Sequence, residues 1–488
     1  MARMGRPRRE VRAPSAQRAL IWSFANTAFG KLGTLLISIL IARLLGPDDF
    51  GTYAVALVAL AAVLSFNELG VSLAIVRWDG DPRRIAPTVT TISVVASVLV
   101  FGAGYVLAPV FATAMGDASA TDVVRLMLVC VPLNGLVAAP AALLQREYLQ
   151  GKRTIADQVN IWLGAGVSVA LALLGWGAMS LAIGRVVATI VFSIMLLFFS
   201  PAPLRFGWDR SVVGPLLSFG LPLAGSSIVV FAVGYADQLV VGGMLGSQAL
   251  GFYLLAFNLA SWPVTMLSQP IRSVAPAAFA RIQQDPERMD RNFRAAFRLV
   301  LAVALPACAF IAGAALPIVT FVYGSVWAPA ALALQWLALQ AAVRIAFELS
   351  YDFLAVKRRS TTLMVIQSIW LVASLPALIF GAHVAGIAGV ALAQASVALI
   401  VLVTCYAWAL MRSGVDLRAL TRVSLLPVVG GLIVGVVSWL LARAVTSDLF
   451  AALIAGLFAL AMIGSLAALS RSSLATLRRV AVTEEGTT

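Results

Sequence analysis

The sequence is poor in charged residues, in cysteine and in histidine. Charged side chains make up 11% of its residues, whereas a soluble domain carries about 25%. The three cysteines, Cys130, Cys308 and Cys405, lie in separate apolar runs, so we expect neither a disulfide framework nor a metal site. His383 is the only histidine and has no neighbouring cluster with which to form a catalytic set. These shortages exclude a soluble globular domain.

Long apolar runs make up most of the sequence. Hydrophobic residues make up 61% of the chain. They form blocks of about 20 to 28 residues, each long enough to cross about 30 Å of hydrocarbon as a helix. The period-two alternation of a membrane β-barrel is absent. We predict an all-α polytopic membrane protein with about 14 transmembrane helices, near residues 19–44, 50–73, 85–113, 122–146, 157–175, 178–199, 213–244, 249–277, 295–321, 330–354, 361–381, 384–410, 421–442 and 449–469.

Basic residues lie in alternate connections between these blocks. Eight such segments, which include both ends of the chain, carry 28 of the 35 lysines and arginines. The intervening turns carry acidic residues instead, namely Asp48, Asp49, Asp117 and Asp448. The positive-inside rule therefore places both termini and every basic segment in the cytoplasm. The net charge of +14 then follows from topology, and its dispersal over eight segments argues against nucleic-acid binding.

The N-terminal segment and the short outer connections argue against a cleaved signal peptide and against an enzyme. The first apolar run follows a basic tail, as in a signal peptide, but it is too long, contains Lys31 and lacks a small-residue cleavage site. We expect it to remain as the first helix. The outer connections are too short for a folded active site, and no zinc, phosphate-loop or glycosyltransferase carboxylate motif is present. The sequence predicts a protein that is not an enzyme and has no cofactor or metal.

One phrase occurs twice, two hundred residues apart. Residues 42–56 read ARLLGPDDFGTYAVA and residues 242–256 read GGMLGSQALGFYLLA, with five identities at matching positions. A second match pairs LQREYLQGKR at 144–153 with LSYDFLAVKR at 349–358, at an offset of 205. About six helices lie in each repeat, and an even number returns the chain to the same side, so the repeats share one orientation. Chance likeness between apolar helices is the alternative.

The repeat predicts two six-helix lobes in parallel pseudo-two-fold relation, followed by two extra C-terminal helices. The expected divisions are a basic cytoplasmic tail at 1–18, an N-lobe at 19–206, a C-lobe at 207–412, the last two helices at 413–470 and a cytoplasmic tail at 471–488. Two like bundles facing a central cleft are typical of an alternating-access transporter. In the repeated turns, Gly46 and Gly246 are expected to cap the outgoing helices in a left-handed conformation.

Three segments resemble a known family: ARLLGPDDFGTYAVA, FNELGVSLAIVR at 66–77 and YADQLVVGGMLGSQALGFYLLAFNLASWPV at 235–264. They are similar to the polysaccharide biosynthesis and oligosaccharide flippase family of the multidrug/oligosaccharidyl-lipid/polysaccharide exporter superfamily. The resemblance covers essentially the whole chain. It implies a flippase that moves undecaprenyl-pyrophosphate-linked oligosaccharide units to the outer leaflet of the bacterial inner membrane. Polymerase and export proteins of the same pathway are implied as partners. The sequence departs from the family in NELG, where Glu68 is a candidate for the role of an expected aspartate.

Moving a pyrophosphate through hydrocarbon requires compensating positive charge, and basic residues within membrane helices are costly and therefore informative. Six lie within the predicted spans, namely Lys31, Arg43, Arg125, Arg185, Arg272 and Arg344. Arg43 and Arg125 lie near helix ends and are expected to extend to the membrane surface. The other four are candidate substrate-binding cations, with Lys31 and Arg272 ranked first. Alternatively, Arg272 could extend to the cytoplasmic headgroups.

Acidic residues within the spans are candidates for ion coupling. Asp237 has no basic residue three or four positions away, so a proton or a sodium ion could supply its counter-charge. Pairing with Lys31 across the cleft is the structural alternative. Glu68 and Glu348 are the further candidates, although Glu348 and Arg344, which are four residues apart, could simply neutralise each other.

The segment 288–298 is rich in basic residues. Four arginines recur there at helical spacing, so we expect a basic helical face on the anionic phospholipids of the inner leaflet, with anchoring or gating as its role.

Two rival functions are considered. A cation-coupled multidrug exporter of the same superfamily is one rival function. A non-transporting scaffold of a polysaccharide-synthesis complex is the other. Fourteen spans and intramembrane cations favour an anionic lipid-linked substrate.

Overall fold

The protein is built from helices. The computed structural model describes residues 16–67, 71–78, 80–268, 279 and 285–471, except the side chains of residues 16–36, 66, 67, 267 and 268. In a membrane, a helix satisfies every backbone polar group within its own segment, which is why apolar runs adopt it. The α-helices are α1 Ala16–Asn67, α2 Val71–Arg77, α3 Pro82–Ala114, α4 Ala120–Leu128, α5 Cys130–Arg146, α6 Gln150–Leu173, α7 Ala178–Phe199, α8 Arg210–Leu245, α9 Ser247–Pro263, α10 Pro286–Gly313, α11 Ala315–Tyr323, α12 Ala330–Val356, α13 Ser360–Val397, α14 Val403–Arg412, α15 Leu417–Ala444 and α16 Asp448–Leu469.

The number of membrane helices agrees with the prediction. Over the part of the chain that the structure describes, twelve helical stretches are long and apolar enough to cross a membrane. Two of them contain a break in helical geometry, at Gly46 in α1 and at Ala385 and Gly386 in α13. Dividing these two stretches at their breaks yields fourteen segments, which confirms the predicted all-α fold.

The backbone of the turns confirms the parallel repeat. Gly46 and Gly246 have almost the same conformation, with φ/ψ of 75°/176° and 87°/176°. Gly177 and Gly386, which begin the sixth helix of each lobe, have φ/ψ of 53°/−138° and 55°/−137°. Positive φ at these positions suits glycine because it has no Cβ. Matching turns in the same chain order mean that the lobes share one topology and one orientation.

The register of the second predicted match is wrong by five residues. The sequence pairs Leu144 with Leu349, but the structure makes Leu354 the counterpart of Leu144. Each carbonyl of this corrected pair accepts a hydrogen bond from the amide five residues later, at 2.9 and 3.0 Å respectively. Tyr148 and Arg358 follow at the same relative position with φ of 58° and 55°. The shared lysine and arginine were a coincidence, because helix-ending geometry is set by the backbone and not by those side chains.

The two faces of the molecule differ in how the lobes contact each other. We define the acidic face as the helix ends beside Asp48, Asp117 and Asp448, and the basic face as the opposite ends. Toward the acidic face, residues of both lobes form one hydrophobic cluster that includes Met127 and Trp327. Toward the basic face, the described residues form separate clusters in each lobe, apart from the first turns of α8, which join the N-lobe. The lobes are therefore closed against each other at the acidic face.

The two extra helices, α15 and α16, pack on the second lobe. Gly313 in α10 meets α15 so closely that an added Cβ would lie 2.4 Å from the carbonyl oxygen of Gly435. Small residues permit this approach between membrane helices. On the acidic face, Thr320 Oγ1 donates to Asp448 Oδ2 at 2.6 Å and connects α11 to the start of α16.

Candidate translocation pathway

The two repeated turns meet each other at the centre of the acidic face. Nε2 of Gln248 donates to Oδ1 of Asp48, its own counterpart in the repeat, at 2.7 Å. Gly51 and Gly251 are counterparts as well, and a Cβ added to Gly251 would lie 3.0 Å from Gly51 Cα. A residue that contacts its own counterpart lies beside the symmetry axis. The pseudo-two-fold axis therefore passes through this crossing of the two lobes.

Arg43 crosses from the N-lobe to the C-lobe at one side of this crossing. Its Nε donates to the carbonyl of Val322 at 2.7 Å, and its Nη2 donates to the carbonyl of Phe321. These carbonyls lie at the end of α11, where intrahelical donors run out, so the guanidinium caps that helix. The sequence predicts that Arg43 extends to the membrane surface, and the structure adds that its guanidinium binds a helix end of the other lobe.

Trp327 fills the space beside Arg43. Its Nε1 donates to the carbonyl of Ala42 at 3.2 Å. Its ring meets Phe50 of the N-lobe and Phe252 of the C-lobe edge to face, with centroids 5.4 and 5.8 Å apart. Buried aromatic side chains contribute strongly to such contacts through their large apolar area. We call the contacts of Asp48, Gly51, Arg43 and Trp327 across the lobes the acidic-face seal.

Asp117 extends the seal on the other side of the axis. Its carboxylate accepts hydrogen bonds from Thr52 Oγ1 at 2.6 Å and from the backbone of Ser119 at 3.0 Å. Partial burial of Asp117 acts to raise its pKa, but hydrogen bonds from Ser119, Thr52 and Ser247 outweigh burial and lower the pKa. Since Ser247 belongs to the C-lobe, an ionised Asp117 links the lobes.

Asp237 lies in a closed polar site within the C-lobe. Its side chain is only 1% exposed. The hydroxyl of Tyr253 donates to Oδ2 at 2.8 Å, the amide of Gln238 donates to Oδ1 at 2.9 Å, and the side chain of Gln394 is a further hydrogen-bond partner. Within the described chain, no lysine or arginine forms an ion pair with Asp237. A buried carboxylate without a cationic partner is costly unless a proton or a cation balances it.

Arg185 and Arg344 lie in different lobes and in different surroundings. Arg185 is exposed on α7, within electrostatic range of Tyr53 and Cys130, and it forms no ion pair with any described residue. Arg344 Nε lies 3.1 Å from Oε1 of Glu348, so the predicted pair exists, yet the Arg344 side chain remains 49% exposed. The structure brings Arg344 and Glu348 together.

Three candidate residues fall outside what the structure describes. Lys31 belongs to helix α1, as predicted, but its side chain lies outside the described residues. Arg272 and Glu68 lie outside them altogether. Their predicted roles stay predictions.

The basic segment 288–298 is not a separate surface helix. It forms the first turns of α10, which continues without a break to Gly313. Arg294 Nη2 pairs with Asp290 Oδ2 at 2.7 Å, and Arg298 Nη2 donates to the carbonyl of Leu469 at 3.1 Å. The predicted helical face is therefore the first part of a membrane helix, and two of its four arginines bind protein groups. Its contact with anionic phospholipids and its anchoring or gating role stay predictions.

These features define a two-lobed helical membrane transporter. A family model described as polysaccharide biosynthesis protein matches residues 40–332. The chain belongs to this polysaccharide biosynthesis protein family. It is 26% identical to the succinoglycan biosynthesis transport protein ExoT of Rhizobium meliloti (strain 1021) over 67% of each chain. It is 24% identical to the lipopolysaccharide biosynthesis protein WzxC of Escherichia coli (strain K12) over 76% of each chain.

Solved structures share the fold. The lipid II flippase MurJ in an inward closed conformation superimposes with a TM-score of 0.77 at 14% identity, covering 92% of this chain and 99% of that one. An inward-facing multidrug resistance MATE family transporter of the MOP superfamily has a TM-score of 0.63 at 15% identity, covering 80% and 96% respectively. Because the identities are low, these likenesses establish the architecture alone.

Proposed function

We propose that the protein is a flippase that translocates undecaprenyl-pyrophosphate-linked oligosaccharide repeat units across the bacterial inner membrane for exopolysaccharide, capsule or O-antigen synthesis. The main support is one observation: the lobes share a core and a seal at the acidic face, while their described cores are separate at the basic face. Such an arrangement suits a cleft that opens at one side of the membrane at a time. The names of the relatives ExoT and WzxC, with their polysaccharide roles, support the substrate class.

In this proposal the lobes rock about the cleft, and the acidic-face seal is the closed gate of one state. The basic face is cytoplasmic by the positive-inside rule, so the described state receives substrate from the cytoplasmic leaflet. Opening the seal at the acidic face then releases the sugar outside, while the lipid tail stays in the bilayer. Substrate drives this change only if it binds the two states with different affinity.

The cationic residues Lys31, Arg272, Arg344 and Arg185 are proposed to hold the pyrophosphate. Arg185 and Arg344 come from opposite lobes, and both expose their guanidinium groups. Charge-assisted hydrogen bonds from arginine to phosphate oxygens are stronger than neutral ones, so a pyrophosphate bound by both lobes would favour their closure. Lys31 and Arg272, whose side chains lie outside the described structure, are proposed to bind the same pyrophosphate.

Ion coupling is proposed to act through Asp237, with Glu68 and Glu348 as further candidates and H+ or Na+ as the ion. The closed site of Asp237 contains a hydroxyl and an amide that suit either ion as neighbours. Taking up a proton or a cation would remove the uncompensated negative charge, so occupancy would change the packing of α8 against α9. Asp237 therefore connects ion binding to the C-lobe helix that joins the seal.

A flipping assay in liposomes tests the function. The purified full-length protein is reconstituted with a fluorescent undecaprenyl-pyrophosphate oligosaccharide, and flipped substrate is measured by its accessibility to an enzyme that acts on one leaflet. We expect flipping, stimulated by a proton or sodium gradient, and its loss in the Lys31→Ala, Arg272→Ala double variant and in Asp237→Asn. A multidrug exporter would instead move organic cations, and a scaffold would move nothing.

A cross-linked variant serves as the control for alternating access. Asp48→Cys and Gln248→Cys are placed in a background without the three native cysteines, because the parent side chains are in contact. A cleavable bifunctional thiol reagent should stop flipping, and reduction should restore it. Flipping at the full rate with the cross-link in place would contradict the rocking of the lobes.

A further inference from the structure

A groove at the basic face lies where the segment connecting the lobes crosses the N-lobe. It encloses about 180 Å³ between the start of α3, the end of α5 and residues 200–205, which follow α7. Pro87, Pro140 and Leu143 belong to its apolar lining, and Arg83 and Arg205 lie at its rim. Because it is bounded by helix ends, the groove lies at the level of the lipid headgroups.

Both rim arginines have capacity to bind an anion. The Arg83 side chain is 58% exposed, and its contact with Glu147 is a long one at 3.4 Å. Arg205 is exposed and forms no ion pair with any described residue. None of the described residues that line the groove is acidic. Two guanidinium groups above an apolar floor match a ligand that has a phosphate at one end and hydrocarbon at the other.

We propose that this groove binds an anionic phospholipid of the leaflet at the basic face. The phosphate would lie between Arg83 and Arg205, and the glycerol and upper acyl chain would lie on Pro87, Pro140 and Leu143. A zwitterionic lipid fits less well, because its cationic headgroup would lie beside two arginines. Binding of this kind does not depend on the transported substrate.

The position of the groove gives the lipid a structural effect. The connecting segment is held on the N-lobe by hydrogen bonds from Thr91 Oγ1 to the carbonyl of Gly207 at 2.9 Å and from the amide of Asp209 to Thr88 Oγ1 at 3.1 Å. An ion pair between Arg84 Nη2 and Asp209 Oδ2 at 3.7 Å acts in the same place. A phosphate shared by Arg83 and Arg205 adds a further connection. The lipid would therefore stabilise the segment on the N-lobe, and any influence on the rocking of the lobes rests on the proposed function.

Lipid binding to the intact protein in detergent tests the proposal. Short-chain phosphatidylglycerol is titrated while retained lipid is counted by native mass spectrometry and the midpoint of thermal unfolding is recorded. Each arginine near an anionic headgroup contributes about a five-fold factor, so Arg83→Gln with Arg205→Gln should weaken binding by about 25-fold. The matched control, Lys152→Gln with Arg210→Gln, removes equal charge from the same face at residues that do not line the groove, and it should retain the affinity.

Four outcomes would overturn the proposal. Equal losses in the control pair would mean that general surface charge attracts the lipid. Equal binding of phosphatidylcholine would mean that the phosphate is not recognised through charge. Displacement of phosphatidylglycerol by undecaprenyl pyrophosphate at equimolar concentration would assign the groove to the substrate. Arg83→Lys with Arg205→Lys should keep most of the affinity, so failure of this variant, if it folds normally, also counts against the proposal. None of these readouts requires flipping, so they are independent of the proposed function.

Discussion

At the scale of single residues, Arg43 and Asp237 show how a charge within a helix obtains its partners. Arg43 lies near a helix end, as a residue that extends to the headgroups would, yet it donates to carbonyls 278 and 279 residues away. Asp237 obtains its hydroxyl partner from the next helix of its own lobe. A lone charge in a span is identified easily from sequence, but its partner is supplied by packing.

Replacing Arg43 by Ala should weaken the acidic-face seal. A hydrogen bond to a charged group contributes about 1.5–3 kcal/mol, and partial exposure of Arg43 reduces that value. A cysteine at Ala256, which is fully buried just below the seal, should react with a thiol reagent roughly tenfold faster in the Arg43→Ala background.

Arg125→Ala is the matched control for Arg43→Ala. Arg125 also lies near the acidic face, but it pairs with Asp122 at 3.8 Å and stacks on Tyr105 within its own lobe. Its loss should leave the reaction rate of the Ala256→Cys thiol unchanged. Equal acceleration in both variants would show that Arg43 does not act across the lobes.

At the scale of helices, the close crossing of α1 and α9 depends on glycine. A Cβ on Gly51 would lie 2.4 Å from the carbonyl oxygen of Ser247, closer than real Cβ contacts allow. The repeated phrase therefore serves the contact between its own two copies, and not only the turns. Sequence reasoning predicted a helix cap at Gly46 and Gly246, but it missed this contact, because an unbroken periodicity gives no sign of what a helix touches.

Gly51→Ala should destabilise the protein, because overpacking a tight contact typically costs about 1–3 kcal/mol. The midpoint of thermal unfolding in one detergent measures this effect. Gly225→Ala is the control, since a Cβ there meets nothing within 4 Å and alanine favours a helix over glycine by up to about 1 kcal/mol. An unchanged midpoint in Gly51→Ala would mean that the crossing is looser than described.

At the scale of the whole molecule, the structure groups the acidic turns on one face, and the charge pattern predicts which side of the membrane that face occupies. The contacts between Asp48 and Gln248, Thr52 and Asp117, and Thr320 and Asp448 connect these turns. Connections rich in lysine and arginine stay on the cytoplasmic side of the membrane, so the acidic face is predicted to lie outside.

Reporter fusions test this orientation. Fusions after residues 80, 150, 285 and 358 should report the cytoplasm, and fusions near residues 47, 117, 247 and 446 should report the outside. A fusion after residue 285 that reports the outside would contradict the parallel repeat, because it would add or remove one crossing between the two lobes.

The sequence by itself determined the helical class, the number of membrane helices and the parallel repeat. The first two follow from local composition, since the thickness of hydrocarbon sets the length of each apolar run and the bilayer forces its backbone into a helix. The repeat follows from the phrase that residues 42–56 and 242–256 share. Only the tertiary structure decided that Arg43 caps α11, that Asp237 shares a site with Tyr253 and Gln394, and that the second repeated turn is displaced by five residues. These contacts join residues that are distant in the chain, and they depend on how helices approach one another, which the apolar pattern of each helix does not encode.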